Sequence, residues 1–215
     1  MLISEKVAGG GSFAVTHGAH CGIGTLPIVY FGTEEQKKKY LPLLATGEVL
    51  SCYALTEPGS GSDALAAATT AVLTEDGQHY VVNGAKQYIT NAGYADMVIL
   101  FAKIDGEHFT GFIIDLKSDG VTIGPEEKKM GIKGSSTRQV FFNDTMIPVE
   151  NMLTERGKGF KLALNSLNLG RIKLGARSLD ASRRIIILST KYAKHRYQFK
   201  SPISRFCYIQ KKITE

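Results

Sequence analysis

The sequence of 215 residues contains no tryptophan, only three cysteines and only six prolines. Because the cysteines are odd in number and widely spaced, they form neither a disulfide framework nor the paired pattern of a zinc site. No uninterrupted apolar run is long enough to cross a bilayer, and residues 1–20 lack the basic start and apolar run of a signal peptide. We therefore expect a protein of a reducing compartment that makes no stable membrane insertion.

The composition fits a globular protein of one or two domains. An apolar share of 43% in a chain of this length is enough to bury a substantial core. The formal net charge of +6 suits a polyanionic ligand, and both a phosphorylated cofactor and a nucleic acid meet that description. The sign of the charge does not choose between them.

Helical signals come first along the chain. Thr33 and Gln36 have the spacing of a capping box, and the apolar positions that follow predict a short helix ending at Gly47. Upstream, residues 8–28 are rich in small side chains. They predict close-packed helices interrupted at Gly9–Gly11 and at Cys21–Gly22.

From Val49 onwards the pattern changes to short β-type runs. Asp76-Gly77 and Asp105-Gly106 are hairpin signals. After Pro148 two apolar periodic stretches predict helices, from Phe160 to Leu174 and from Leu179 to Phe199. The predicted strands are Ala71–Leu73, Tyr80–Val82, Met97–Ala102, Thr110–Ile114, Val121–Ile123 and Val140–Phe142.

The run from Tyr53 to Asp63 joins an apolar strand to a turn rich in glycine, hydroxyl and carboxylate groups. Gly59 and Gly61 permit positive φ values and let backbone N–H groups approach a ligand closely. The dinucleotide fingerprint is not met, because no third glycine stands three residues after Gly61. The alternative is a plain turn with Pro58-Gly59 at its corner and Asp63 capping the next element.

A second cluster, Asn83 to Ala92, contains the triplet Tyr88-Ile89-Thr90. Alone, this triplet is an ordinary β-strand with alternating burial. Beside the first cluster it adds an aromatic face, an apolar side chain and a hydroxyl. The loop of the first cluster suits an anionic or carbonyl-rich ligand.

In this register the two clusters resemble the flavin-binding signature of the acyl-CoA dehydrogenase family. Gly32–Pro42 and Lys128–Ser135 resemble the same family, and the latter, with Asn165–Arg171, is most similar to its very-long-chain branch. The resemblance implies an α+β fold with an all-helical N-terminal part, a central antiparallel β-domain of barrel or sandwich type, and the start of a C-terminal helical bundle. The implied boundaries are 1–48, 49–150 and 151–215.

The resemblance also implies a cofactor, FAD, and residues that contact it. Tyr88 would pack on the isoalloxazine in place of the tryptophan usual in the family. Ser62 would also meet the pantetheine of the substrate, and Asn168 and Arg171 would contact coenzyme A. The implied FAD contacts are Tyr53, Leu55, Thr56, Gly61, Ser62, Tyr88, Ile89, Thr90, Arg196 and Phe199.

Two positions depart from the family's patterns. Some branches place the catalytic glutamate just before the arginine that corresponds to Arg171, but Gly170 stands there. We therefore expect no general base within the chain and place it C-terminal to Glu215. Arg196 and Phe199 resemble an arginine-x-x-phenylalanine element that reaches the FAD of a neighbouring subunit, yet Lys200 follows where glycine is usual. For Asn168 with Arg171 the alternative is a buried polar pair, and for Arg196 it is a solvated basic helix face.

The implied reaction is FAD-dependent α,β-dehydrogenation of a fatty acyl-CoA thioester to the trans-2-enoyl-CoA in fatty acid β-oxidation. The implied partners are the acyl-CoA, an electron-transferring flavoprotein and further copies in a dimer or tetramer. A bacterial cytoplasm is favoured over a mitochondrial matrix. The alternatives are a non-catalytic fragment that binds FAD or acyl-CoA, and an acyl-CoA oxidase.

Two further features suggest other kinds of binding. The basic segment from Arg183 to Lys212, with interleaved aromatic residues, raises nucleic-acid binding. The apolar run Ile185–Leu188 predicts instead that much of the segment packs inside, so we expect no nucleic acid partner. His17 and His20 are spaced to share a helix face, but without a third ligand we expect structural roles and no metal site.

Overall fold

The computed structural model describes residues 2–215. These form two compact units, one of residues 12–171 and one of residues 2–11 together with 172–215. The first unit contains three helices, the whole central sheet and the beginning of a long fourth helix. The predicted α+β class is confirmed, with helices before and after a curled sheet.

The helices before the sheet are α2 (Ser12–Gly18), α3 (Leu26–Phe31) and α4 (Glu34–Thr46). A π-helical turn at Ala19–Gly24 joins α2 to α3, which confirms the predicted interruption at Cys21–Gly22.

Helix α4 begins with the predicted capping box. The Gln36 N–H donates to Thr33 Oγ1, and the Thr33 N–H donates to Gln36 Oε1. The buried Gln36 amide also donates to the carbonyls of Glu150 and Met152, at 2.7 and 3.0 Å. The helix ends at Gly47, whose φ of +80° is the left-handed conformation that glycine adopts readily. The capping box therefore fixes both the start of α4 and its attachment to the segment after the sheet.

His20 has a structural role, as predicted. Its Nε2 lies 3.0 Å from the Leu44 carbonyl, and its Nδ1 accepts the Ser51 N–H at 3.1 Å. Both ring nitrogens are therefore engaged in joining α4 to the first strand.

The central sheet has seven strands in the order β1-β4-β2-β3-β7-β6, with β5 paired to β4. Most neighbours are antiparallel, as predicted, but β4 pairs in parallel with both β1 and β2. Strands β3 and β7 have 12 residues each and are four times as long as the short runs the sequence indicated. The strands are β1 (Ser51–Ala54), β2 (Thr70–Leu73), β3 (His79–Thr90), β4 (Met97–Ile104), β5 (His108–Asp115), β6 (Val121–Glu126) and β7 (Thr137–Pro148).

Strand β4 lies between two apolar clusters, because alternate side chains of a strand point to opposite faces. Val98, Leu100 and Ala102 pack with β3 and β7 inside the curl of the sheet. Ile99 and Phe101 pack on the other side against α3, α4 and the start of the next helix. Burial on both faces explains why this strand is almost continuously apolar.

The two hairpin signals are confirmed. Gly77 lies in the turn between β2 and β3 with φ +68°, and Asp105 and Gly106 form the turn between β4 and β5 with φ +52° and +77°. At Asp105-Gly106, positive φ at both central residues is the turn geometry whose twist matches that of paired strands.

Helix α5 (Gly159–His195) follows the sheet and is a single helix where the sequence indicated two stretches. Its residues from 172 onwards belong to the second unit. That unit also contains α1 (Leu2–Val7), β8 (Tyr197–Gln198), β9 (Ser201–Pro202) and α6 (Cys207–Thr214). Arg183 of α5 forms an ion pair with Glu5 of α1.

The apolar run Ile185–Leu188 is exposed, with more than half of each side chain accessible. The prediction that it packs inside was wrong, because four consecutive helical positions point in four directions and cannot share one buried face. Among residues 2–215, no helix is long and apolar enough to cross a membrane.

Candidate functional site

The two clusters singled out in the sequence meet in the structure. The Gln87 N–H donates to the Thr56 carbonyl at 2.9 Å, and Lys86 Nζ lies 3.3 Å from the Leu55 carbonyl. The end of β1 thus lies beside the middle of β3, although about thirty residues of sequence separate them. A surface built from both clusters is therefore a feature of the fold.

The loop after β1 closes on itself. The N–H groups of Glu57 and Ser60 donate to each other's carbonyls, and Ser60 Oγ donates to the Asp63 carbonyl at 2.6 Å. Asp63 makes no side-chain cap on the following 3-10 turn, so the alternative that it caps the next element is wrong.

Neither Gly59 nor Gly61 of this loop uses the positive φ that glycine permits. A Cβ placed on Gly59 or Gly61 would have no heavy atom within 4 Å. Neither glycine is required by the packing or by the turn. The space beside both is open, which is what a ligand that approaches the backbone needs.

Strand β3 contains a bulge at the second cluster. Its pairing with β7 shifts between Lys86 and Ile89, and Tyr88 adopts φ +59°. The left-handed conformation is unusual for an aromatic residue. It leaves 59% of Tyr88 exposed, whereas Ile89 is 2% exposed. The bulge therefore displays an aromatic ring on the surface beside Thr56.

Two threonine hydroxyls complete this surface. Thr56 and Thr90 are both partly buried, and neither hydroxyl makes a hydrogen bond within residues 2–215. They can donate to or accept from a bound molecule without breaking an existing contact. The aromatic ring, the apolar Leu55 and these hydroxyls together suit a flat ligand with polar edges.

A buried ion pair supports the surface from beneath. Lys86 Nζ lies 2.6 Å from Glu57 Oε1, with the two side chains 0% and 5% exposed. The carboxylate also accepts the N–H groups of Ala68 and Thr69, at 2.6 and 3.1 Å. Burial lowers the pKa of Lys86 to about 8, against the attraction of Glu57. Burial opposes ionisation of Glu57, but Lys86 and the hydrogen bonds hold its pKa below the usual range.

This ion pair was missed by reasoning from the sequence. A signal was present, because Lys86 follows Tyr80, Val82 and Gly84 at every second position of β3 and so lies on the strand's buried face. A lysine at a buried position needs a partner. The sequence does not say that Glu57 is that partner, because the partner lies in another segment.

Tyr53 differs from the other residues predicted for the site. Its side chain is 7% exposed, its ring packs edge-on against Phe101 at 5.0 Å, and its hydroxyl donates to the Ala163 carbonyl at 3.4 Å. In this structure the Tyr53 side chain belongs to the core. Ser62 and Gly61, by contrast, are exposed on the loop.

Asn168 and Arg171 contact each other on α5, as their spacing predicts. Arg171 Nη1 donates to Asn168 Oδ1 at 2.6 Å, and both side chains are exposed. The alternative of a buried polar pair is therefore wrong, and the pair can contact a ligand.

Arg196 and Phe199 lie in the second unit, at the hairpin of β8 and β9. Phe199 is 91% exposed. The turn carries positive φ at both Phe199 and Lys200, +51° and +62°. The hairpin keeps the turn geometry that glycine would adopt more easily, and Lys200 bears the strain.

A cavity lies elsewhere in the first unit. It measures about 620 Å³ and is lined mainly by α2, the π-helical turn and α4, with Asn91 and Tyr94 at one side. It includes neither the loop after β1 nor Tyr88. We therefore base the candidate site on the two clusters rather than on this cavity.

Comparison with known proteins decides the family. The acyl-CoA dehydrogenase N-terminal, middle and C-terminal domain models match residues 1–48, 52–145 and 157–215. The chain belongs to the acyl-CoA dehydrogenase family. The domain boundaries at 48 and 150 stay a prediction.

Two curated members of the acyl-CoA dehydrogenase family illustrate the likeness. A probable acyl-CoA dehydrogenase of Bacillus subtilis is 58% identical over 99% of this chain and 36% of its own length. A very long-chain specific acyl-CoA dehydrogenase of Macaca fascicularis is 45% identical over 93% of this chain and 32% of its own. The chain spans about a third of the length of these relatives.

A solved structure of the family shares the fold. The acyl-CoA dehydrogenase of Bacillus anthracis, crystallised in complex with FAD, superposes with a TM-score of 0.97 at 60% identity, over 99% of this chain and 36% of that one.

Proposed function

We propose that this chain supplies the flavin-binding part of an acyl-CoA dehydrogenase, which converts a fatty acyl-CoA thioester to the trans-2-enoyl-CoA in fatty acid β-oxidation. The observation that carries the proposal is the junction of the two clusters, where the bond from Gln87 to Thr56 brings Leu55 and Thr56 beside the outward-turned Tyr88.

The residues of this surface fit FAD. Tyr88 offers a face for stacking, Leu55 adds an apolar contact, and Thr56 and Thr90 have hydroxyls free for the polar edge of the ring system. Gly61 and Ser62 leave room for the rest of the cofactor along the loop. When bound, FAD supplies a two-electron acceptor for the hydride from the substrate's β-carbon.

The role of the Tyr88–Thr90 segment in this reaction is to orient. Ile89 is buried in the core and anchors the segment, so that Tyr88 and Thr90 are held by β3 and not by a mobile loop. Rigid support of this kind keeps reacting atoms aligned.

Substrate contacts are proposed for Ser62, Asn168 and Arg171. The bond between Asn168 and Arg171 fixes the guanidinium on α5 while leaving other donors free for phosphate or carbonyl oxygens of coenzyme A. Gly170 has no side chain with which to remove a proton. We propose that the base lies outside residues 2–215, in a protein of the relatives' length.

Arg196 and Phe199 are proposed to contact the FAD of a second copy, as the family resemblance implies. The forked guanidinium suits a pyrophosphate, and exposure of both residues leaves them accessible. The proposal therefore includes a homo-oligomer, with an electron-transferring flavoprotein as electron acceptor. A cytoplasmic location is proposed, since similar proteins are found in Bacillus subtilis. The comparisons do not favour the oxidase or the nucleic-acid binder.

An anaerobic titration with palmitoyl-CoA tests this proposal. The chain is first loaded with FAD, and the visible flavin band is followed as the thioester is added. We expect the band to shift without bleaching, because the substrate contacts are present and the base is not. No shift would contradict the proposed substrate contacts, and bleaching would contradict the placement of the base. Arg171→Ala should weaken the thioester affinity about tenfold, the effect of losing charge-assisted hydrogen bonds.

A further inference from the structure

The Glu57–Lys86 ion pair joins three segments of chain at one point. Lys86 belongs to β3 and donates to Glu57 Oε1 at 2.6 Å and to the Leu55 carbonyl at 3.3 Å. The same carboxylate accepts the N–H groups of Ala68 and Thr69, where the loop leads into β2. One carboxylate thus fixes the start of the loop, its end and the neighbouring strand.

Stability alone gives a weak reason for this arrangement. Removing two charges from water carries a large desolvation cost, and an apolar pair of similar volume is often as stable or more so. What an ion pair adds is direction, since the carboxylate and the ammonium hold their partners at fixed distances and angles. The Glu57–Lys86 pair is therefore better suited to fixing the local geometry than to stabilising the core.

The geometry that it fixes is that of the proposed flavin surface. Leu55 and Glu57 are bound on either side of Thr56, whose carbonyl accepts the Gln87 N–H. Lys86 and Gln87 come directly before Tyr88, the residue that the bulge turns outward. Displacing the pair would move Thr56 and Tyr88 relative to each other.

We propose that the Glu57–Lys86 ion pair is a positioning device that holds Leu55 and Thr56 in register with the Tyr88 bulge. It touches no cofactor itself and acts through the backbone of its neighbours. Its consequence for cofactor binding rests on the proposed function, but its effect on the backbone does not.

The test removes both charges while keeping side-chain volume, with Glu57→Gln and Lys86→Met combined. The matched control combines Asp96→Asn and Lys117→Met, which removes an ion pair of 3.0 Å between the exposed Lys117 and the partly buried Asp96. Hydrogen exchange is measured without cofactor at the amides of Ala68, Thr69 and Gln87. Amides of the β4–β5 pair serve as an internal reference.

We expect the double variant to exchange faster at these three amides, while the β4–β5 amides and the unfolding midpoint stay close to those of the unmodified chain. FAD affinity should fall about tenfold, the cost of misplacing one or two hydrogen bonds. The control pair should alter neither quantity. Unchanged exchange at the three amides would overturn the proposal.

Three further outcomes are also decisive. If the double variant does not fold, Glu57→Gln alone is measured, and normal protection of Ala68 and Thr69 in that variant would overturn the proposal. If the unmodified chain binds no FAD, the proposed function fails while hydrogen exchange still decides the role of the ion pair. A fall in FAD affinity with normal protection would contradict action through the backbone.

Discussion

Gly84, the glycine of β3, packs closely against Thr69 at the end of the loop that supports the site. Its φ is +152°, and a Cβ there would lie 2.5 Å from Thr69 Oγ1 and 2.8 Å from Thr69 Cα. The Thr69 backbone cannot move aside freely, because its N–H donates to Glu57. We therefore expect Gly84→Ala to push Thr69 away and to weaken the hydrogen bonds that the N–H groups of Ala68 and Thr69 donate to Glu57.

Two terms set the size of this effect. Forcing a methyl group into filled space costs about 1–3 kcal/mol. Placing an L side chain at positive φ adds about 1–2 kcal/mol. The sum, about 2–5 kcal/mol, is a large part of the stability of a typical domain.

Gly77→Ala is the matched control, because Gly77 has φ +68° but open space at its Cβ. It should cost only about 1–2 kcal/mol, the conformational term alone. Urea denaturation of both variants gives the free energies of unfolding, and their difference isolates the clash. Equal losses in the two variants would refute the claim that Gly84 is required by close packing against Thr69.

Three other changes have separate expected outcomes. Tyr88→Asn should leave the unfolding midpoint unchanged, because asparagine tolerates the positive φ at this position. It should weaken FAD binding, measured by flavin absorption, about threefold to tenfold, since an aromatic contact contributes about 0.5–1.5 kcal/mol. An unchanged affinity would show that Tyr88 is not part of the site. Lys200→Gly should raise the free energy of unfolding by about 0.5–1 kcal/mol by relieving positive φ, whereas Lys191→Gly inside α5 should lower it by about 1 kcal/mol. The pKa of Glu126 is held at about 2, against partial burial, by Ser136, the Thr137 N–H and Arg138. The contribution of Glu126 to the free energy of unfolding is therefore present above the unfolded pKa near 4.5 and is lost as pH falls towards 2. In that window Glu126→Gln should make the free energy of unfolding depend less on pH, as measured by acid denaturation. An unchanged pH dependence would contradict the assignment.

Local signals in the sequence were read correctly where neighbouring residues determine the structure. The capping box at Thr33 and Gln36 fixes a helix start with residues three apart, and it is present. The Asp105-Gly106 turn likewise depends on two adjacent residues that accept positive φ. The family resemblance based on the two clusters is confirmed by the match to the family models. The contacts of the individual residues with a ligand stay a proposal.

Features that depend on contacts between distant segments could not be predicted from the sequence. The parallel pairing of β1 with β4 joins Ser51 to Met97, and no local pattern specifies such a partner. The ion pair of Glu57 with Lys86 has the same origin. The positive φ of Tyr88 was missed because a bulge depends on the register of β3 against β7. Gly59 and Gly61 do not use positive φ, because glycine permits that conformation without requiring it.

The most direct test of the central claim is a visible absorption spectrum of the purified chain after FAD is added and the mixture is desalted. The claim is that the two clusters hold the cofactor, so we predict retained flavin bands that differ in position from those of free FAD. A folded chain that keeps no flavin after desalting would contradict it.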